Sequence, residues 1–235
     1  MITIQNIYKK FGKVSVLKGL DLEINAGGIF AVLGPNGSGK TTLIKSILGM
    51  VIPDKGSITI QNKKILKTHL YRNNINYLPQ IANFPANLTV TELLQMIKDI
   101  RIKEADEAAL IEQFDLKPFL KQKLGNLSGG TRQKVNLVLT FMFDSELIIL
   151  DEPTTGLDPI SLIRLKEIIQ QEKDNGKTIL ITSHIMSFVE EVADEVVFLL
   201  DGKIYFKGNI TELKKQTNQS DLEHAIANIL TTQHA

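Results

Sequence analysis

The chain has 235 residues, 43% hydrophobic and 23% charged, enough for one sizeable globular core and a smaller lobe. Its 27 basic and 26 acidic side chains leave a net charge of +1, so no broad basic face argues for nucleic acid. The absence of cysteine excludes disulfides and thiol chemistry and fits a reducing cytosol. The N-terminal "MITIQNIYKKFG" lacks the apolar centre of a signal peptide, and no run approaches the roughly 18 apolar residues of a membrane span.

In chain order, "ITIQNI" (2–7) and "LDLEI" (20–24) alternate as half-buried strands do. "IFAVL" (29–33) is a continuous apolar run, so it reads as a fully buried strand ending at Gly34. "TTLIKSILGM" (41–50) then carries apolar residues at helical spacing, and strand, glycine loop and helix open a nucleotide-binding α/β unit. Residues 82–145 read as helical at "TVTELLQMIKDI", "EADEAALIEQF" and "GGTRQKVNLVLTFM", with no convincing strand. Buried strands return at "LIILD" (147–151) and "KTILITS" (177–183), joined by a helix over 159–175 that stops at "DNGK". That βαβ crossover implies a mostly parallel sheet. "EVVFLLDGKIYFKG" (195–208) reads as a hairpin about Asp201-Gly202, and two short helices follow near 210–217 and 220–231.

The expected fold is α/β: a RecA-like P-loop core with a mostly parallel sheet, an N-terminal antiparallel β portion and an inserted helical lobe. As one domain over 1–235 it divides into a core (1–81 and 146–208), a helical lobe (82–145) and a C-terminal helical extension (209–235).

Two stretches carry phosphate chemistry. "GPNGSGKTT", Gly34-Pro35-Asn36-Gly37-Ser38-Gly39-Lys40-Thr41-Thr42, is a glycine loop whose N–H groups turn inward around phosphates. Lys40 reaches the β- and γ-phosphates and Thr41 places its hydroxyl on Mg²⁺. "LIILDEP" sets Asp151 and Glu152 at the carboxyl end of a buried strand, where open parallel sheets bind ligands. Asp151 is placed for Mg²⁺ and Glu152 to accept a proton from an attacking water. The second stretch, "NLSGGTRQKV", starts a helix at bare glycine backbone, which is itself an anion site. The four histidines (His69, His184, His224 and His234) lack metal-ligand spacing.

"GPNGSGKTT", "LSGGTRQKV", "LIILDEPTTGLDP" and "TSH", in that order, resemble the nucleotide-binding subunit of ATP-binding cassette (ABC) proteins over nearly the whole chain. The resemblance implies a head-to-tail dimer, with each ATP between Gly34–Thr42 of one chain and Ser128, Gly129 and Gly130 of the other. It implies that Phe11 stacks on adenine, although the residue alone reads more readily as core. It implies that Gln80 meets Mg²⁺ and the water and links them to the helical lobe. His184 then contacts the γ-phosphate, and Asp158 lies in a loop crossing the dimer interface. The family often has glutamine where this chain has Thr131, a shorter side chain expected to lose one interface contact.

The expected activity is hydrolysis of ATP with Mg²⁺ by a motor on the cytoplasmic face of the membrane. The expected partners are a second copy of the chain and a separate membrane permease, with no nucleic acid. "IANFPANLTVTELL" exposes Phe84 and Pro85 near the family's docking surface, and Phe84 stays open between docking and packing between lobes. "SDLEHAIANIL" resembles the closing helix of ABC-2-type exporters, a group that includes an ATPase for copper-site maturation of nitrous oxide reductase. The alternative is a soluble ABC ATPase of a cluster-assembly complex.

Overall fold

The computed structural model describes residues 1–66, 68–101 and 103–233. The C-terminal extension is therefore followed to residue 233, and His234 lies outside the described residues.

An antiparallel sheet forms from β1 (Ile2–Phe11), β2 (Val14–Ile24), β4 (Lys55–Ile60) and β5 (Lys63–Lys64), in the order β2-β1-β4-β5. The second sheet contains β3 (Gly28–Leu33), β6 (Ile75–Leu78), β7 (Leu147–Asp151), β8 (Thr178–Thr182), β9 (Glu195–Leu200) and β10 (Lys203–Gly208). Its order is β10-β9-β3-β8-β7-β6. Neighbours from β9 to β6 run parallel, and β10 adds an antiparallel edge. The β9–β10 turn holds Asp201 at φ 47 and Gly202 at φ 77, and two positive φ values in a two-residue loop match the twist of the flanking strands.

Side chains alternate across the buried strands, so each strand feeds two cores. Ile29, Ala31, Leu33, Ile148 and Leu150 face one way and pack with α4 (Gly129–Phe141), α5 (Pro159–Asp174) and α6 (Met186–Val192). The same cluster takes in α2 (Val90–Arg101), α7 (Ile210–Thr217) and α8 (Leu222–Gln233). Phe30, Val32, Leu147 and Ile149 face the other way, onto α1 (Lys40–Ile47) and the antiparallel sheet. Burial of every residue of β7 and β8 is why these strands read as unbroken apolar runs. A short α3 (Glu107–Gln113) completes the helices, and between residues 82 and 145 no strand occurs among the described residues.

Strand register brings the chemistry to one edge. Asp151 pairs with Thr182, Thr182 with Val32, and Leu78 with Leu150. The loops after β3, β6, β7 and β8 therefore leave the sheet side by side, at its carboxyl end. β4 and β5 escape sequence reading because "KGSITI" begins with two exposed residues and β5 is a pair of exposed lysines.

Candidate functional site

The glycine loop between β3 and α1 is shaped by backbone that side chains would obstruct. Gly34 has φ +147, and a Cβ there would lie 2.2 Å from the Leu199 carbonyl oxygen. Gly39 has φ +108, and a Cβ would lie 2.9 Å from Leu17 Cδ2. Gly37 is also left-handed, at φ +82, but faces open space. Pro35 and Asn36 form the rim, where the Pro35 carbonyl accepts from the Ser38 N–H at 3.2 Å.

The Lys40 ammonium donates to Gly34 O at 2.7 Å and Pro35 O at 3.1 Å. Two of its three protons are thus used and one remains for a ligand. Burial lowers the Lys40 pKa, while the charges of Glu152 and Asp151 oppose that shift. Ser38 Oγ is buried and has no hydrogen-bond partner among the described residues. Thr41 and Thr42 open α1, whose first turn carries no acid, so its N–H groups and positive dipole end are left for an anion. An inward-facing cradle, a spare ammonium proton and an unpartnered buried hydroxyl fit a polyphosphate.

Asp151 is buried at the end of β7 and accepts a hydrogen bond from Thr182 Oγ1 on β8. Glu152 follows in the left-handed region at φ 54, a conformation costing roughly 1–3 kcal/mol outside glycine. Its N–H donates to Thr182 O at 3.1 Å, and its carboxylate meets His184 Nδ1 at 2.7 Å. An ionised carboxylate only accepts, so Nδ1 carries the proton and the outer ring nitrogen is left to meet solvent or substrate. The His184 side chain is 74% exposed and that of Glu152 only 10%, so the pair runs from the sheet edge outward.

Gln80 is exposed just past β6 and lines a groove of 650 Å³ with Thr41, Asp151, Tyr77, Phe84 and Arg101. The structure thus gathers Thr41, Gln80 and Asp151, a hydroxyl, an amide and a carboxylate of the kind that hold Mg²⁺. Burial pushes the Tyr77 phenol up to about 12, with the Asp151 charge adding to the shift. Asn136 of α4 donates to Pro79 O at 3.4 Å, tying the Gln80 segment to that helix. Phe84 packs partly buried against the main core and also lines the groove.

Phe11 closes β1 and is 50% exposed, so it is not a core residue; Lys9 Nζ sits 5.4 Å from its ring centroid. Ser128 caps α4, accepting from the Thr131 N–H at 3.1 Å. A Cβ placed on Gly129 would meet nothing within 4 Å, whereas one on Gly130 would lie 2.7 Å from Gly156 O. Among the described residues, no hydrogen bond or ion pair joins Ser128, Gly129 or Gly130 to residues 34–42. Within one chain the two expected phosphate-binding stretches are therefore not bonded to one another.

Two residues expected at the interface also make contacts within their own chain. The Asp158 carboxylate is engaged within its own chain: it caps α5 by accepting from Ser161 N and Ser161 Oγ, both at 2.9 Å, and pairs with Lys134 Nζ at 2.8 Å. Those partners, Lys134 first, hold its pKa well below the usual carboxylate range. The Thr131 hydroxyl lies 2.8 Å from Ser128 Oγ.

Sequence reasoning also missed Thr182, which holds Asp151 and looks like any β-branched strand residue. It missed the knot in which Asn76 Oδ1 accepts from Arg101 Nη1 at 2.7 Å and Ser145 Oγ at 2.9 Å.

Glycine cradle, paired acids at the sheet edge and a buried parallel sheet together define a P-loop nucleoside triphosphatase. The profile of the ABC transporter family matches residues 17–155. The chain belongs to that family as its ATP-binding domain and is an ATPase. It is 33% identical over 227 residues to the uncharacterized ABC transporter ATP-binding protein YhaQ of Bacillus subtilis, covering 94% of this chain and 76% of that one. It is 33% identical over 205 residues to the lantibiotic transport ATP-binding protein SrtF of Streptococcus pyogenes, covering 87% and 89%. A solved structure of the ATP-binding subunit of an ABC transporter superposes with a TM-score of 0.91 at 27% identity, covering 98% of this chain and 99% of the other. Among the described residues no helix is long and apolar enough to cross a membrane.

Proposed function

We propose that the chain is the motor subunit of an exporter and works as a head-to-tail homodimer that closes on two Mg-ATP. The observation that carries this reading is that the two expected phosphate-binding stretches share no bond within one chain. Neither α1 nor α4 has an acid in its first turn, α1 has no side-chain cap, Ser128 caps α4 at the Thr131 N–H, and no hydrogen bond or ion pair among the described residues joins the two helix starts. A second copy supplies to each cradle the Ser128, Gly129 and Gly130 donors that its own chain holds elsewhere. ATP then binds the closed dimer more tightly than the open chain, and loss of the γ-phosphate releases it.

Within each site, the glycine loop and Lys40 hold the phosphates, and Phe11 offers its exposed ring to adenine. Thr41, Gln80 and Asp151 would hold Mg²⁺, which when bound supplies positive charge to the β- and γ-phosphate oxygens. Glu152 takes the proton of the attacking water, and His184 orients both the carboxylate and that water. The products are ADP and phosphate.

Residues 1–81 and 146–208 form the catalytic core, 82–145 the lobe that carries the signature helix, and 209–235 an extension. A separate permease in the membrane docks on the groove beside Gln80 and Phe84, which places the chain peripherally on the cytoplasmic face. Export is the direction favoured over copper-site maturation, since relatives are named for lantibiotic transport and Nod factor export. The reading is tested by mild-detergent capture of the tagged chain from host membranes. A multi-span membrane protein recovered in fixed ratio supports it, and recovery only in soluble complexes overturns the permease role.

A further inference from the structure

Ser128 Oγ has one proton and two lone pairs. The Thr131 N–H occupies one lone pair at 3.1 Å. The Thr131 hydroxyl stands 2.8 Å away, a normal O–H···O separation, and either oxygen can donate. The two choices present different faces to a neighbouring molecule. With Ser128 donating, its proton is spent inside the chain and a lone pair faces outward, which repels phosphate. With Thr131 donating, both lone pairs of Ser128 are taken and its proton is the only group left to make a bond, directed away from the helix.

We propose that Thr131 is a positioning residue that donates to Ser128 Oγ and so aims the serine proton at the γ-phosphate bound by the second chain. This rests on the head-to-tail dimer proposed above. The positive end of α4 draws the anion toward Ser128, and the anion in turn selects the polarity in which Ser128 is its donor. Thr131 is suited to the task because its β-branched side chain has few rotamers in a helix and its oxygen is already on the serine. With the hydroxyl anchored from two directions, Ser128 meets the phosphate already oriented, and little freedom is lost on closure.

The test uses full-length chains carrying Glu152→Gln, with ATP and Mg²⁺ as the probe. Dimer dissociation is measured by sedimentation, nucleotide affinity of the monomer by titration, and Tm by calorimetry. Thr131→Val keeps the N–H bond to Ser128 and loses only the hydroxyl. It is expected to weaken the ATP-bound dimer roughly tenfold over its two symmetric sites, leaving monomer ATP affinity and Tm unchanged. Thr131→Ser is expected to restore the dimer, which a purely space-filling threonine would not require. The proposal is overturned if Thr131→Val dimerises like its parent, or if Thr131→Ser fails to rescue, while Ser128→Ala weakens the dimer. If Ser128→Ala also leaves the dimer intact, the head-to-tail reading itself falls.

Discussion

Alanine at each of the two glycines that open α4 separates folding from function. At Gly130 the added methyl would lie 2.7 Å from Gly156 O, whereas at Gly129 no atom lies within 4 Å. Carbon–oxygen contacts settle at about 3.3 Å or more, so Gly130→Ala must move the helix or the facing loop by about 0.6 Å. Overpacking of this kind costs about 1–3 kcal/mol. At about 2–4 °C per kcal/mol for a chain of this size, Tm should fall by roughly 2–12 °C. Gly129→Ala meets no such contact and trims backbone freedom in the unfolded chain, so Tm should hold or rise slightly.

The dimer reverses the ranking. In the proposed dimer the open face of Gly129 receives the second chain's γ-phosphate, and a methyl there should weaken ATP-driven association by roughly tenfold or more. Calorimetry on the single variants, and sedimentation in the Glu152→Gln background, measure the two effects separately. The reasoning is refuted if Gly130→Ala melts like the parent, or if Gly129→Ala both melts and dimerises like the parent.

Lys40→Ala removes the ammonium that bridges Gly34 O and Pro35 O and that the proposed site gives to the phosphates, so ATP affinity of the monomer should drop roughly 10- to 100-fold; unchanged affinity in a nucleotide titration would count against the cradle. His224 is raised above its ordinary 6.5 by its hydrogen bond to Asp221, whose own pKa is held down at about 2, chiefly by the His224 backbone N–H and then its side chain. The raised histidine stabilises the start of α8 fully below about 6.5, and this is lost as pH rises through its folded value. The lowered aspartate contributes above about 3.9, and this is lost as pH falls toward 2. The pair should therefore act together between about pH 4 and 6.5. NMR titration should show the His224 shift disappearing in Asp221→Asn.

The legible parts of the fold are those with a one-dimensional signal. β3, β7 and β8 announce themselves because both faces are buried, and the loop after β3 because its glycines keep a fixed spacing. The carboxylates after β7 are visible for the same reason, lying at the end of a buried run. What stays hidden depends on contacts between distant residues. The Glu152–His184 bond spans 32 positions, and the left-handed φ of Glu152 has no marker in residue type. The reach of Lys134 to Asp158 crosses from one helix to the start of another, so the cap and ion pair of this carboxylate have no marker in the sequence. Thr131 reads as a shortened side chain in the sequence, and only the fold puts its oxygen on Ser128.

The central claim is that each ATP is enclosed by two chains, and trapping the closed state tests it most directly. Glu152→Gln removes the proton acceptor beside His184 while leaving the cradle, and it should lower phosphate release about 10²-fold or more. Sedimentation of this variant should show a monomer without nucleotide and a dimer holding two ATP with Mg²⁺. A protein that binds ATP with the expected loss of turnover, yet stays monomeric at saturating nucleotide, would contradict the account.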